Sequence, residues 1–309
     1  MRLIKPSFEI IEQEPGLEGI YKAIELAGRN CYKSESNIKE GSAKEFVDRM
    51  IKSKHLAMCE HGTVYLKDTY DVSTIGSWRR SIGGKYSSNK YSVVNTDRMC
   101  DFQGIYITTN FRVLVENNWL DDLQYLCDPT EFHEKRIMVR FICDRGVSHE
   151  FVRHRVFSFA QESTRYCNYS NKDKFGNEVT FIIPCWIDIP TGKYTNISKQ
   201  SYEDGEYKQI MLHENNINAY PLTTTSEGRF LSDCFWSEYD YFDLLEQGWK
   251  PQQARTVLPN SLKTELIMTG YIPDWKHFFK LRDSKAAHPQ AYELAHPLHE
   301  EFIKRGYLN

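Results

Sequence analysis

Arg136-Ile137-Met138-Val139-Arg140-Phe141-Ile142-Cys143, Asp144, and then Glu150-Phe151-Val152-Arg153-His154-Arg155-Val156-Phe157-Ser158-Phe159-Ala160-Gln161-Glu162-Ser163-Thr164-Arg165-Tyr166 decide how this chain reads. The first eight residues alternate well enough for a buried strand. Asp144 has the side chain to cap a short helix running through Glu150-Phe151-Val152. Three arginines and a histidine then sit among Phe, Val and Tyr. In an extended backbone Arg153 and Arg155 point the same way with His154 opposite; on a helix they splay apart. Guanidiniums beside apolar side chains are costly unless carboxylates or phosphates neutralise them. Ser163, Thr164 and Arg165 supply hydroxyls and a fork-shaped donor, groups suited to a phosphate monoester. Two readings stand level on these grounds. One is an anion site; the other is a salt-bridged strand-to-helix junction in which Glu150 and Glu162 pair off the arginines.

Outward from this stretch, residues 42–51 carry apolar side chains at 46, 47, 50 and 51, which predicts a helix with Ser42 as its cap. Thr63-Val64-Tyr65-Leu66 reads as a strand. Residues 67–100, rich in Ser, Gly, Tyr and Asn, read as an extended excursion or lid. Ile105-Tyr106-Ile107 is a further strand, 110–127 reads as helical, and Val179 to Ile183 as a strand. Residues 198–220 read as a polar helical insertion, and 233–248 as an aromatic-rich helix stopped at Gly248. Pro251 opens a helix that Pro259 ends. Thr264 to Gly270 is a strand, and Pro273-Asp274 starts a helix with Trp275, Phe278 and Phe279 on its apolar face and Leu281 beside it. A last helix follows Pro289. The expectation is one α+β domain over residues 1–309. Its central sheet is mostly antiparallel or mixed and flanked by helices, with long insertions at about 67–135 and 171–250. Neither G-x-G-x-x-G nor G-x-x-x-x-G-K-[ST] occurs, so the common dinucleotide and triphosphate cradles are absent.

The composition narrows the function classes. With 40% apolar and 14% aromatic residues over 309 positions, the chain has the material for a sizeable core and is not a disordered sequence. Lys+Arg 39 against Asp+Glu 42 gives a net charge of -3, which speaks against a global polyanion-binding surface. An anionic ligand therefore needs a local basic cluster. No apolar run approaches the length of a membrane span, and Met1-Arg2-Leu3-Ile4-Lys5-Pro6 has no apolar core of a secretory signal. Eight scattered cysteines (31, 59, 100, 127, 143, 167, 185 and 234), without a C-x-x-C pair, fit reduced thiols in a cytoplasmic protein.

Arg153-His154-Arg155, seven residues and then Ser163, continuing into Arg165-Tyr166, resembles the signature of the flavin-dependent thymidylate synthases. The span from Arg145-Gly146 through Glu150 to Tyr166 carries most of the resemblance. Glu60-His61 after His55 looks like the family's E-H. Ala254-Arg255-Thr256-Val257-Leu258-Pro259 is similar to its A-R-x-x-L-P. Phe279-Lys280-Leu281-Arg282 followed by Ala287-His288-Pro289-Gln290 is similar to its F-x-x-L-R…A-H-x-Q block. The matching regions are roughly 42–66, 136–170 and 251–296.

The resemblance implies reductive methylation of dUMP to dTMP. Methylenetetrahydrofolate is the implied carbon donor and FAD reduced by NADPH the hydride source, in a homotetramer whose sites draw on several subunits. It assigns Arg282 to the uracil edge as the catalytic residue. Glu150, Arg153, Gln161, Glu162, Ser163, Thr164, Arg165 and Arg255 are assigned to the nucleotide. Glu60, Arg153, His154, Arg155, Gln161, His277 and His288 are assigned to the flavin. His55 belongs to the same region. The family's Asn-Glu before the motif serine is replaced by Ala160-Gln161, so a neutral amide stands where a carboxylate is common. Ser163 has no Asp-His pair placed in sequence to activate it and no G-x-S-x-G elbow, which fits a positioning role.

Two other classes remain in view. A single-stranded nucleic-acid binder would use Arg153, Arg155 and Arg165 with the interleaved aromatics, helped by Trp78-Arg79-Arg80-Ser81, Lys85 and Lys90. The net acidity weighs against it, and neither a nucleic acid nor a membrane is an expected partner. A metal hydrolase on His55/His61 or His296/His299 would need a third ligand at the first pair and a regular helix face at the second, which Pro297 interrupts. No metal is expected.

Overall fold

The computed structural model describes residues 1–71, 73, 78, 81–99, 102–200, 207–215, 219–221 and 225–308. Arg79 and Arg80, part of the basic run, lie outside them. The strands in chain order are β1 (Arg2–Ile4), β2 (Ser7–Ile11), β3 (Thr63–Asp71), β4 (Val93–Met99), β5 (Phe102–Asn110), β6 (Arg136–Asp144), β7 (Ser158–Gln161), β8 (Thr180–Ile182), β9 (Gly192–Gln200), β10 (Tyr207–His213), β11 (Ala219–Pro221) and β12 (Lys263–Tyr271).

These strands form three sheets, of order β2-β6-β12-β7, β3-β5-β4 and β11-β10-β9-β1-β8. Every pairing is antiparallel except β1 with β8. The fold class is therefore α+β with mostly antiparallel sheets.

The sheet that positions the site is the four-stranded one. β12 is central, paired over nine residues with β6 (Lys263↔Asp144 to Tyr271↔Arg136) and on its other edge with β7 (Leu266↔Gln161 to Thr269↔Ser158). Seven successive residues of β12, Thr264 to Gly270, are buried, as expected of a strand covered on both faces. One cover is the helix Ile272–Arg282, whose Trp275, Phe278 and Phe279 pack with Phe141, Phe151 and Leu266. The other is the helix Gly16–Tyr32, which buries Ile20, Ala23, Ile24 and Ala27 at helical spacing.

Several expectations need correction. Residues 67–100 are not all excursion, because β3 continues to Asp71 and β4 returns over Val93–Met99 beside β5. The described residues within 198–220 are not helical. β9, β10 and β11 form a meander in which Tyr207↔Gln200 through His213↔Tyr194 pair antiparallel. Buried Tyr194 and Met211 supply the apolar face. The helix Ser42–Lys52 is real, but Gly41 occupies its cap in a left-handed conformation, while the Ser42 hydroxyl donates to Glu25 Oε2 (2.8 Å). Leu281 is exposed.

The helix Pro289–Lys304 runs straight through Pro297. Burial of Ala291, Leu294, Ala295, Leu298 and Phe302 along one face outweighs the roughly 3 kcal/mol that an interior proline costs.

Candidate active site

Asp144 does cap the short helix Arg145–Phe151: its Oδ1 accepts from Val147 N (2.8 Å) and its Oδ2 from Gln290 Nε2 (2.9 Å). After the helix the chain does not extend. Backbone N–H groups of His154, Arg155 and Phe157 donate to Phe151, Arg153 and His154 in successive turns. Arg153 and Arg155 thus stand exposed while His154 is buried between them.

Arg282, at the end of the helix Ile272–Arg282, reaches this turn. Its Nη1 donates to Glu150 Oε2, its Nη2 to the Glu150 carbonyl (2.9 Å) and its Nε to His154 Nε2 (3.1 Å). His154 accepts that bond and is therefore neutral. Burial, with the Arg282 guanidinium and His277 adding to it, lowers its pKa to about 4. Glu150, His154 and Arg282, named separately in the sequence, are brought together, and the exposed His277 ring lies 6.2 Å from that of His154.

At the other end of β7 lies a second group. Gln161 Nε2 donates to Ser148 Oγ (2.8 Å) and Thr264 Oγ1 (3.3 Å). Ser163 N donates to the Cys31 carbonyl (3.0 Å), Ser163 Oγ accepts from Arg165 N (3.3 Å), and Arg255 Nη1 donates to Thr164 Oγ1 (3.0 Å). Glu162 turns inward instead. Its carboxylate takes Lys263 Nζ (2.8 Å), which also binds Glu265 Oε1 (2.6 Å), and Glu265 takes Lys33 Nζ (2.9 Å).

Burial alone would raise the Glu265 carboxyl, but Lys263 and Lys33 outweigh it and hold it at about 2. The junction reading is thus not realised: Glu150 pairs with Arg282, outside the cluster, and Glu162 with a lysine. Among the described residues Arg145, Arg153, Arg155, Arg165 and Arg255 have no carboxylate partner, whereas Arg282 and Arg112 do.

A cleft of about 530 Å³ opens beside the turn, lined by Glu60, Arg112, Arg136, Arg155, Val156 and Tyr271 among others. Glu60 accepts from Arg112 Nη1 (2.6 Å) through its carboxylate and from Arg136 Nη1 and Nη2 (3.1 Å each) through its carbonyl. Arg136 Nε is buried without a hydrogen-bond partner. Gly270 borders this cleft, and a Cβ there would come within 2.5 Å of the Phe157 ring.

His288 is not brought to this group. It is exposed, with its ring edge-on to Trp186 at 5.6 Å. His55 is exposed, while His61 is buried, bonded through Nδ1 to Thr269 Oγ1 (2.8 Å) and driven down to about 3 by burial and Arg136. His296 and His299 both turn their Nδ1 atoms to the Asp283 carboxylate, at 2.9 and 2.6 Å. Among the described residues no group of three or more His, Cys, Asp or Glu is arranged to hold a metal.

The sequence reading gave no role to Arg112, Arg136, Arg145, Lys33 or Lys263. Arg136 opens a strand whose next three residues are apolar, and that buried charge was the available signal. Arg112 and Lys33 had none, because their partners Glu60 and Glu265 are 52 and 232 residues away.

Residues 128–305 match the family model described as thymidylate synthase complementing protein. The chain is 28% identical over 163 residues to a flavin-dependent thymidylate synthase of Pyrococcus furiosus (53% of this chain, 52% of that one). It is 29% identical over 166 residues to one of Pyrococcus horikoshii (54% of each) and 26% over 151 residues to one of Corynebacterium glutamicum (49% and 50%). The matches thus span about half the length of these curated relatives. Among solved structures, a UMP/dUMP methylase PolB from Streptomyces cacaoi bound with 5-Br dUMP aligns over 98% of this chain and 93% of its own, at 15% identity and a TM-score of 0.40.

Proposed function

Because the chain belongs to the thymidylate synthase complementing protein family, we propose that it is a flavin-dependent thymidylate synthase that methylates C5 of dUMP. In this proposal residues 1–309 act as one catalytic domain with insertions at about 67–135 and 171–250, assembled as a homotetramer in the cytoplasm. Methylenetetrahydrofolate is the carbon donor and NADPH the reductant. Neither a nucleic acid nor a membrane is a partner.

The observation that carries the proposal is the set of arginines left without carboxylates around the turn and around Ser163–Thr164. Five guanidiniums without a carboxylate partner leave positive charge that phosphate-bearing ligands would neutralise. Arg165, Arg255, Ser163 and Thr164 would hold the nucleotide phosphate, with Arg153 and Gln161 beside them. Glu162 acts from behind: with Lys263 and Glu265 it fixes the backbone that presents Ser163.

The cleft supports an FAD site by its donor set. Arg112, Arg136, Arg155 and Lys90 line it, and the unpartnered Arg136 Nε is the kind of buried donor that a bound acceptor satisfies. Arg155, Glu60, His154 and His277 would hold the flavin, with Arg153 and Gln161 shared between flavin and nucleotide. His288, on the Trp186 side, would join only through another subunit. FAD, when bound and reduced, supplies the hydride.

The chain's own contribution at the reacting ring is electrostatic. Three N–H groups of Arg282 are committed to Glu150 and His154, which locks the fork and leaves two donors free for a uracil edge. Neutral His154 adds no charge beside the Arg282–Glu150 pair, and the two free N–H groups would donate toward charge developing on the pyrimidine. The test is Arg282→Ala. It retains bound flavin, read from its visible absorbance, while dTMP formation falls about 100-fold or more. Activity near that of the unsubstituted protein would remove Arg282 from this role.

A further inference from the structure

Asp283 follows Arg282 in the chain, and it sits where a carboxylate is least at home. It caps the C-terminal end of the helix Ile272–Arg282, its backbone N–H donating to the Phe279 carbonyl (2.8 Å). The dipole of that helix gathers partial negative charge at this end, so an anion here is unfavourable unless another element holds it. The helix Pro289–Lys304 does so. Its His296 and His299, three residues apart, stand one turn from each other on one face. His296 Nδ1 lies 2.9 Å from Asp283 Oδ1 and His299 Nδ1 lies 2.6 Å from Oδ2, so each carboxylate oxygen takes one ring N–H. The imidazoles are themselves held flat. His299 stacks on Phe279, with ring centres 4.5 Å apart and planes 13° from parallel. His296 stacks in the same way on Tyr292, at 5.1 Å and 9°. A second carboxylate, Glu300, comes within 3.6 Å of His296 Nε2.

We propose that Asp283, His296 and His299 are positioning residues, a clasp that fixes the last helical turn from which Arg282 reaches the pyrimidine. This rests on the proposed methylation of dUMP. Glu150 and His154 hold the far end of the Arg282 side chain. Those bonds aim the guanidinium only if the backbone it springs from is also fixed, and helix ends fray. The clasp ties that end to a helix anchored in the core through Ala291, Leu294, Ala295, Leu298 and Phe302. A tether that served stability alone could join the two helices at any turn. Here it falls on the residue beside Arg282. A metal site on the two histidines is the poorer match, because both Nδ1 atoms are taken up by the one carboxylate and no metal-holding group exists among the described residues.

The test is steady-state kinetics on the full, FAD-loaded chain, with amide hydrogen exchange measured on the same samples. The double variant His296→Phe/His299→Phe keeps flat rings against Tyr292 and Phe279 and removes both donors. His296→Asn/His299→Asn keeps an N–H close to where each Nδ1–H stood. The proposal expects the Phe pair to lower kcat for dTMP formation about tenfold or more, with KM for dUMP changed by less than about twofold, because other residues grip the nucleotide. Asp283→Ala, which removes the acceptor instead, gives the same split, and the Asn pair recovers most of kcat. Exchange at residues 279–283 rises about tenfold in the Phe pair and stays low in the Asn pair, with bound flavin unchanged in all variants. Unaltered kcat in the Phe pair and in Asp283→Ala, a fall that the Asn pair does not recover, or parallel loss of kcat and dUMP affinity overturns the clasp while the proposed function stands. An unsubstituted chain that leaves dUMP unmethylated overturns the proposed function, and the clasp's role with it.

Discussion

Replacing Lys263 by Met removes the cation shared by Glu162 and Glu265 beneath the proposed phosphate grip. The three groups are well enclosed, with side-chain exposures of 14% for Lys263, 1% for Glu162 and 9% for Glu265. Holding the Glu265 carboxyl at about 2 instead of its ordinary 4.5 corresponds to about 3 kcal/mol. Leaving a buried charge uncompensated costs about 3–5 kcal/mol, so the two routes agree. Lys33 still reaches Glu265, which places the expected loss at the lower end, about 3 kcal/mol at pH 7.

A carboxyl depressed in the folded state contributes stability that is fully present above pH 4.5 and is lost as the pH falls through about 2. The unsubstituted protein therefore loses this contribution across that window, and Lys263→Met shows little of the same acid dependence. Urea unfolding followed by tryptophan fluorescence at pH 7 and pH 3.5 measures both effects. The exposed pair Lys44–Asp48 is the control, and Lys44→Met leaves the midpoint unchanged. A Lys263→Met midpoint indistinguishable from that of the unsubstituted protein at pH 7 would refute the reasoning.

Three further outcomes are expected. His154 is held near 4 in the folded state against 6.5 unfolded, so its burial costs stability as the pH drops below 6.5 and the cost levels off near 4. His154→Gln should flatten that part of a pH–stability curve, and an unchanged curve would contradict the assignment. Gly270→Ala drives a methyl into the Phe157 ring and should destabilise by about 1–3 kcal/mol in urea unfolding, relieved in the Phe157→Leu background. Trp275→Ala empties the centre of the cluster formed by Phe141, Phe157, Phe278 and Phe302, at a cost of about 3–5 kcal/mol read by the same assay.

The parts of the fold that were legible in the sequence share one property: their local pattern and their tertiary role agree. β6, β12 and the Trp275–Phe279 face put apolar residues where their own pattern demands, and Asp144 puts an acceptor where the helix start needs one. The meander β9–β11 was misread because its polar outer face hides a period of two, and what decides it is pairing between strands. Pro297 misled in the opposite sense, since helix burial overrode the local cost of a proline.

At the site, the motif resemblance named Glu150, His154 and Arg282 separately and did not pair them, for nothing local ties residues 132 positions apart. Glu162 and Glu265 show the limit most clearly. Their partner Lys263 sits two residues from one and 101 from the other, and only the β7–β12 register brings the three together.

The central claim is that the unpaired arginines and Arg282 serve reductive methylation of dUMP. The most direct measurement supplies the purified, FAD-loaded protein with dUMP, methylenetetrahydrofolate and NADPH under anaerobic conditions, and follows the nucleotide by mass spectrometry. The account predicts that dUMP gains one methyl group, that omitting FAD or the folate abolishes the gain, and that Arg282→Ala abolishes it while flavin stays bound. Flavin-loaded protein that returns dUMP unchanged with every component present would contradict it.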